Sequence, residues 1–175
     1  MIQMRLLIGA ILALAAVTGA LAQGAAKPTL LGTFKSWTMW SYDGNYGSTQ
    51  GKVCYIYSEP EKMQPPRLDH GRVSFSVTSV PADAAATEAN FVAGYDLKEQ
   101  SRVTVEIGDR EFTMFTEGDS AWLVNKEDEP DLLEAMRGGT RMVVKATSRR
   151  GNSTTYDYSL SGVTAASDKM KADCQ

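Results

Sequence analysis

A glycine–aspartate–serine triplet and a single histidine are the residues of this chain that most resemble a nucleophilic catalytic set. Gly118-Asp119-Ser120 echoes the nucleophile region of trypsin-like proteases, and His70 lies upstream in a proline-rich loop. Those enzymes need further glycines after the serine, whereas Ala121 and Trp122 follow here. The G-x-S-x-G elbow of other serine hydrolases is also missing. We therefore interpret the triplet as a turn between strands, expect His70 to be solvated, and predict no catalytic residue.

Carboxylates in loops are the second kind of candidate chemistry, because paired carboxyl groups hydrolyse glycosidic bonds without histidine. The candidates in predicted loops are Asp43, Glu59, Asp69 and Asp119. Sequence spacing does not bring two of them together, so a periplasmic hydrolase remains an alternative to a non-enzymatic protein. One histidine and two cysteines cannot complete the usual four-ligand structural zinc site, and we predict no metal and no cofactor.

A dense aromatic stretch is the strongest candidate for binding, and its members are Trp37, Trp40, Tyr42, Tyr46, Tyr55 and Tyr57. In a strand, Trp37 points to the face opposite Trp40 and Tyr42, so one set packs inward and the other is available to solvent. Two aromatic core layers and a partner surface both fit, since exposed aromatics often anchor interfaces. Arg149-Arg150, at a predicted hairpin tip, is either a solvated turn or a contact for an anionic partner. The candidate binding surface comprises Trp40, Tyr42, Tyr46, Arg149 and Arg150.

Residues 1–22 are typical of a secretory signal peptide. Arg5 is followed by an apolar run from Leu6 to Val17, and Ala20-Leu21-Ala22 supplies the small residues that signal peptidase reads. A spanning helix needs about 20 apolar residues, which makes an uncleaved anchor the weaker alternative. We predict cleavage after Ala22, export to the periplasm with outer-membrane association or secretion as alternatives, and no transmembrane segment in the mature chain.

Charge and cysteine content narrow the class of protein further. The chain has 18 Lys and Arg against 21 Asp and Glu, a formal net charge of −3. It therefore lacks the basic field that nucleic-acid binding requires. Cys54 and Cys174 both lie in the exported part, where an oxidising compartment and an even count favour a disulfide. Two free buried thiols are the alternative.

Hydrophobic alternation predicts a mostly β chain. The aromatic strand Phe34–Tyr42 is expected to end at the turn signal Asp43-Gly44-Asn45. Alternation on both sides of Gly108-Asp109 predicts a hairpin with a two-residue turn. Acidic residues before Pro130 predict a helix start rather than a cation site, and a second helix is predicted over Val163–Asp173.

These elements predict an all-β fold with two short helices. We expect a mainly antiparallel β-sandwich or flattened barrel of about eight strands. Residues 23–33 are predicted to be a short N-terminal segment, and residues 34–175 a single β-rich domain.

Several short motifs, in this order and spacing, resemble the invasion-associated locus B family of Gram-negative envelope proteins. They are KVCY at 52–55, SEP at 58–60, GYDLK at 94–98, GDSAWL at 118–123, AMRGG at 135–139, SRRG at 148–151, YSLSGVTAA at 158–166 and the terminal Cys174. Many members resemble each other in having a further cysteine just after the first tryptophan, which Trp37-Thr38-Met39-Trp40-Ser41 lacks. Cys54 with Cys174 is then the one pairing available.

The resemblance implies an exported, envelope-associated β-rich protein, linked in pathogenic relatives to host-cell invasion, with no established reaction or cofactor. A non-enzymatic envelope or surface protein with an unidentified protein partner, including a host surface, is our first hypothesis. The alternatives are the carboxylate hydrolase and a structural or stress-protective envelope protein.

Overall fold

Eleven antiparallel strands make one continuous sheet in the described residues, 27–79 and 86–174, of this computed structural model. The strands are β1 Thr29–Phe34, β2 Trp37–Tyr46, β3 Thr49–Ser58, β4 Lys62–Gln64, β5 Ser74–Ser79, β6 Thr87–Val92, β7 Arg102–Ile107, β8 Arg110–Glu117, β9 Ser120–Leu123, β10 Arg141–Thr147 and β11 Ser153–Ser159. The helices are α1 Glu129–Gly138 and α2 Val163–Cys174, with a 3-10 turn at Lys126–Asp128 before α1. The prediction of an all-β antiparallel fold with two short helices is confirmed.

The sheet is open, with strand order β1-β2-β3-β5-β6-β9-β8-β7-β10-β11-β4. Among the described residues, its first strand, β1, and its last, β4, each have one hydrogen-bonded neighbour, so this sheet does not close into a barrel. The flattened-barrel alternative is therefore wrong, and so is the expected number of about eight strands.

The two edge strands account for most of the error in the strand number. β4 has three residues between Pro60 and Pro65, and β1 contains Gly32 at a break in its pairing register. Proline and glycine normally argue against a strand, and both are tolerated at sheet edges. β1 also extends the sheet into the stretch predicted as a short N-terminal segment.

The first hairpin turns later than predicted. Asp43-Gly44-Asn45 lies inside β2, where Asp43 pairs with Lys52 and the ladder continues to Tyr46 opposite Thr49. The turn is Gly47-Ser48, and Gly47 takes the positive φ of 58° that the tight turn requires. The continuous ladder with β3 thus outweighs the local turn preference of Asp-Gly-Asn.

The core lies between two halves of the sheet that face each other. Phe75 and Phe91 on the β5–β6 side contact Tyr158 and Tyr156 of β11, with ring centroids 6.1 and 5.5 Å apart. The Trp37 indole N–H donates to the Ser159 carbonyl at 2.9 Å, which ties β2 to β11. The sheet therefore folds over on itself as a sandwich does, with Trp37 in its interior.

The strongest local signals are confirmed. β7 and β8 pair up to Ile107 opposite Arg110, so the turn is Gly108-Asp109 with Gly108 at φ 61°. α1 begins at Glu129 with Pro130 in its first turn, as the acidic start predicted.

α2 closes the fold against the first strands. It packs on β1, β2 and β3, and a disulfide joins its last residue, Cys174, to Cys54 in β3 with the Cα atoms 6.1 Å apart. None of the helices within the two described ranges is long and apolar enough to cross a membrane. The predicted signal peptide, residues 1–22, lies outside those ranges.

Candidate functional site

The first strands carry half-exposed aromatic side chains on the outside of the sheet. Trp37 and Met39 of β2 are fully buried, whereas Trp40 and Tyr42 point outward and are half-buried. Trp40 lies opposite Tyr55 of β3, and the Tyr42 and Tyr55 rings meet edge-on at 6.4 Å. Period-two alternation thus separates a core tryptophan from outward aromatics on the same strand.

We call this surface the outer aromatic face, formed by Leu30, Trp40, Tyr42, Tyr55 and Tyr57. Leu30 of β1 pairs with Trp40 and is 47% exposed, which extends the apolar surface to the sheet edge. Burial raises the pKa of Tyr55, and burial together with the hydrogen bond to Glu59 raises that of Tyr57 to about 12. These phenols are neutral donors at physiological pH, so the face can combine aromatic packing with hydrogen bonding.

Arg149 and Arg150 lie elsewhere, in the turn between β10 and β11. Both are exposed, and Arg149 pairs with Asp96 at 3.0 Å. They line a cavity of about 560 Å³ that also contains His70. The structure therefore groups Trp40 with Tyr42 and places the two arginines with the histidine loop.

His70 is buried and hydrogen-bonded, so the expectation of a solvated histidine is wrong. Its Nε2 lies 2.9 Å from the Pro65 carbonyl and its Nδ1 lies 3.0 Å from the Tyr156 hydroxyl. Tyr95 continues the chain, 2.7 Å from Tyr156 and 2.6 Å from Thr154. Because the Pro65 carbonyl can only accept, Nε2 carries a proton, and in the corresponding neutral tautomer Nδ1 accepts from the Tyr156 hydroxyl. The network joins the loop to β11.

Removing the Tyr156 hydroxyl should destabilise the fold. We expect Tyr156→Phe to lower the free energy of unfolding by about 1–3 kcal/mol, because His70 Nδ1 and Tyr95 lose a buried partner. Tyr158→Phe is the matched control on the same strand, since the buried Tyr158 hydroxyl has no partner in the part of the chain that the structure describes. Urea unfolding should show that loss for the first variant alone. Equal losses would contradict the network.

A cleft of about 720 Å³ lies where the β2–β3 hairpin meets β6, β8 and the start of α1. We call it the acidic–aromatic cleft, and its main lining residues are Tyr46, Glu88, Phe115, Glu117, Trp122 and Glu129. Phe115 and Trp122 are stacked with centroids 5.8 Å apart. The Tyr46 hydroxyl donates to the Glu88 carboxylate, which anchors the hairpin to β6. Lys126 also lines the cleft.

Glu129 is a buried carboxyl group of this cleft. The ladder between β6 and β9 begins at Asn90, so it does not include Ala89. The Ala89 N–H donates instead to both Glu129 oxygens, at 3.0 and 2.9 Å. Glu129 is 6% exposed, and burial raises its pKa to about 7, against the lowering effect of the Ala89 hydrogen bond. Burial of Tyr46 and its hydrogen bond to Glu88 also raise the Tyr46 pKa. The cleft therefore holds a carboxyl group that titrates near neutrality.

The nucleophile motif does not form a catalytic set. Gly118-Asp119 is the turn between β8 and β9, and the Ser120 hydroxyl donates to Asp119 at 2.9 Å. His70 is engaged by Tyr156 and Pro65, as described above. Within residues 27–79 and 86–174, no three His, Cys, Asp or Glu side chains form a group that could hold a metal ion.

The candidate loop carboxylates are used locally instead. Glu59 accepts from the Tyr57 hydroxyl at 2.8 Å, and Asp69 accepts from the Gly71 N–H at 3.0 Å. The carboxylates that do share a cleft, Glu88, Glu117 and Glu129, come from two strands and a helix start. The acidic residues before Pro130 correctly predicted that a helix starts at Glu129. No pattern in the sequence indicated that Glu129 is buried.

Comparison with known proteins shows which family the chain belongs to. Residues 37–171 match the model of the family described as invasion associated locus B (IalB) protein. The chain belongs to the IalB family. No curated protein matches it. The crystal structure of invasion associated protein B from Bartonella henselae is similar, with a TM-score of 0.58 and 14% identity over 81% of this chain and 95% of that one.

Family motifs of this IalB chain contribute to both cavities. GDSAWL at 118–123 forms the β8–β9 turn and supplies Trp122 to the acidic–aromatic cleft. SRRG at 148–151 forms the turn that carries the exposed arginines beside His70. The predicted family resemblance is thus confirmed, and its motifs lie at surface features as well as in the core.

Proposed function

We propose that this IalB family protein is an exported, non-enzymatic binding protein of the bacterial envelope that contacts a partner protein through the outer aromatic face. The observation that carries the proposal is the alignment of Leu30, Trp40 and Tyr55 across three adjacent strands. Half-exposed aromatics on a rigid sheet are typical anchors of protein interfaces. The family description, invasion associated, supports a role in contact with a host cell.

Export is supported by the sequence of residues 1–22 and by the Cys54–Cys174 disulfide. Structural disulfides persist in oxidising compartments and are rare in the cytosol. We propose cleavage after Ala22 and a periplasmic location.

Fractionation with intact-mass measurement tests this location. We expect a mature chain that begins at Gln23 and resists external protease until the outer membrane is opened. Digestion of intact cells would instead place the protein on the surface, and a cytosolic, uncleaved chain would contradict export.

Site-specific photo-crosslinking tests the face itself. We expect p-benzoylphenylalanine at the positions of Trp40 and Tyr42 to give the same crosslinked product. The matched control is the exposed Glu99, in the loop between β6 and β7. A product formed equally at Glu99, or none at the two aromatic positions, would contradict docking through this face.

A hydrolase is the second candidate, because Glu88, Glu117 and Glu129 share one cleft and Glu129 has a raised pKa. We expect no turnover of a panel of aryl glycosides, since Glu129 is 6% exposed and both its oxygens face Ala89 N–H. Turnover that disappears in Glu129→Gln would favour the hydrolase. A structural role would make a deletion strain sensitive to envelope stress. In that case, expression of the Trp40→Ala variant would restore full resistance, because the outer aromatic face would not be needed.

A further inference from the structure

The acidic–aromatic cleft has a flat aromatic wall whose two side chains lie outside the buried core. Phe115 of β8 pairs with Trp122 of β9 on the outer side of the sheet, and their rings are inclined by only 29°. Phe115 is 38% exposed, although its neighbours Phe112 and Met114 are buried. A stacked pair on the outside presents a π face, which attracts cations as well as apolar groups.

Negative charge surrounds this wall. Among the described residues that line the cleft, Glu88, Glu117 and Glu129 stand against one cation, Lys126. Glu129 is more than nine-tenths buried, and its two oxygens share a single donor, the Ala89 N–H. A carboxylate has about four acceptor positions, so this buried group is served by fewer donors than it can use. The cleft thus combines a cation-attracting wall with carboxylates that are only partly compensated.

We propose that the acidic–aromatic cleft binds the guanidinium group of an arginine side chain presented by a partner polypeptide. A guanidinium is planar and weakly hydrated, stacks on aromatic rings and forms forked hydrogen bonds with carboxylates. Glu88, held at the wall by Tyr46, is the direct acceptor, and Glu129 adds charge from beneath. The volume of about 720 Å³ leaves room for main chain on both sides of the arginine.

This proposal names the chemical group that the partner presents. It rests on the proposed function only in assuming that the partner is a protein. The groups that face Glu129 are Glu88, Lys126 and Tyr46. A bound cation favours the ionised form of Glu129, so affinity should rise between pH 6 and pH 8. No change in affinity over this pH range is expected if the bound cation does not interact with Glu129.

Titration of the mature chain with short peptides tests the proposal by NMR. The probes are acetyl-Gly-Arg-Gly-amide and its citrulline analogue, which has the same shape without the charge. We expect the arginine peptide to shift the Trp122 indole and Ala89 amide signals in a saturable way, and citrulline to bind at least tenfold more weakly. A lysine peptide should bind between the two, because its ammonium cannot stack as a plane.

Charge-matched variants locate the binding. Glu88→Gln should weaken arginine binding at least fivefold, Lys126→Gln should strengthen it, and Glu99→Gln should leave it unchanged. Lys126→Gln alters a rim residue that is exposed, so it keeps the test valid if Glu88→Gln disturbs the fold. Equal binding of arginine and citrulline peptides, or equal effects of Glu88→Gln and Glu99→Gln, would overturn the proposal. Neither result depends on location or on crosslinking at Trp40, so the proposed function fails or stands separately.

Discussion

Loss of the Cys54–Cys174 disulfide is expected to lower the free energy of unfolding by about 2–4 kcal/mol. The two residues are 120 positions apart, so the bridge restricts the unfolded chain over most of its length. It also fastens α2 to β3, and Cys54 itself is fully buried in the core. The expected measurement is urea unfolding of Cys174→Ala against the oxidised protein, with a steeper denaturant dependence because the unfolded chain exposes more surface.

A second variant separates the cross-link from packing. Cys174→Ala keeps the Cys54 thiol in the core, whereas Cys54→Ala/Cys174→Ala also leaves a small cavity there. We expect most of the loss in the single variant and a smaller further loss in the double one. A single variant as stable as the oxidised protein would show that the bridge does not stabilise the fold.

Replacing Glu129 by a neutral glutamine should raise the free energy of unfolding by an amount that depends on pH and is similar in size to the loss expected for the disulfide. The pKa of Glu129 is about 7 in the folded protein and near 4.5 when unfolded, so between these values the folded state binds more protons. Its favourable contribution is therefore complete below about pH 4.5 and is lost as pH rises through 7. Glu129→Gln keeps an oxygen acceptor for Ala89 without the charge, and should be roughly 2–3 kcal/mol more stable than the unmodified protein at pH 8.

Urea unfolding between pH 4.5 and pH 8 measures this difference. The two proteins should have similar stability at the acidic end and diverge toward pH 8. Glu134→Gln is the matched control, an exposed glutamate on the same helix, and should run parallel to the unmodified protein. A Glu129→Gln curve that is also parallel would mean that Glu129 is ionised without penalty in the fold.

Local patterns in the sequence predicted the elements that local interactions stabilise. The β7–β8 hairpin follows from alternation around Gly108-Asp109, and α1 from acids placed before Pro130. β4 escaped prediction because it exists through pairing with the distant strand β11. β1 forms a tight hairpin with β2, but Gly32 and the break in its register hide the strand pattern. The predicted turn at Asp43-Gly44-Asn45 failed because the ladder between β2 and β3 continues through these residues to Tyr46.

The candidate site was predictable only in part. Alternation correctly placed Trp37 on one face of β2 and Trp40 and Tyr42 on the other, although it could not indicate which face packs in the core. The acidic–aromatic cleft was missed because its residues come from β2, β6, β8, β9 and α1, with no common motif. The local sequence explains why Glu129 lies at the start of a helix. Its contact with the Ala89 N–H arises where β6 extends past its ladder with β9, which the local sequence does not indicate.

The open ends of the sheet bear on edge-to-edge association. An unpaired strand edge is a template on which another chain can add a strand. Here β4 offers three residues, includes Lys62 and stops at prolines, while β1 is interrupted by a register shift between Leu30 and Gly32. Both edges thus present short or broken rows of free backbone groups. A sheet this wide therefore leaves little continuous edge on which a second chain could add a strand.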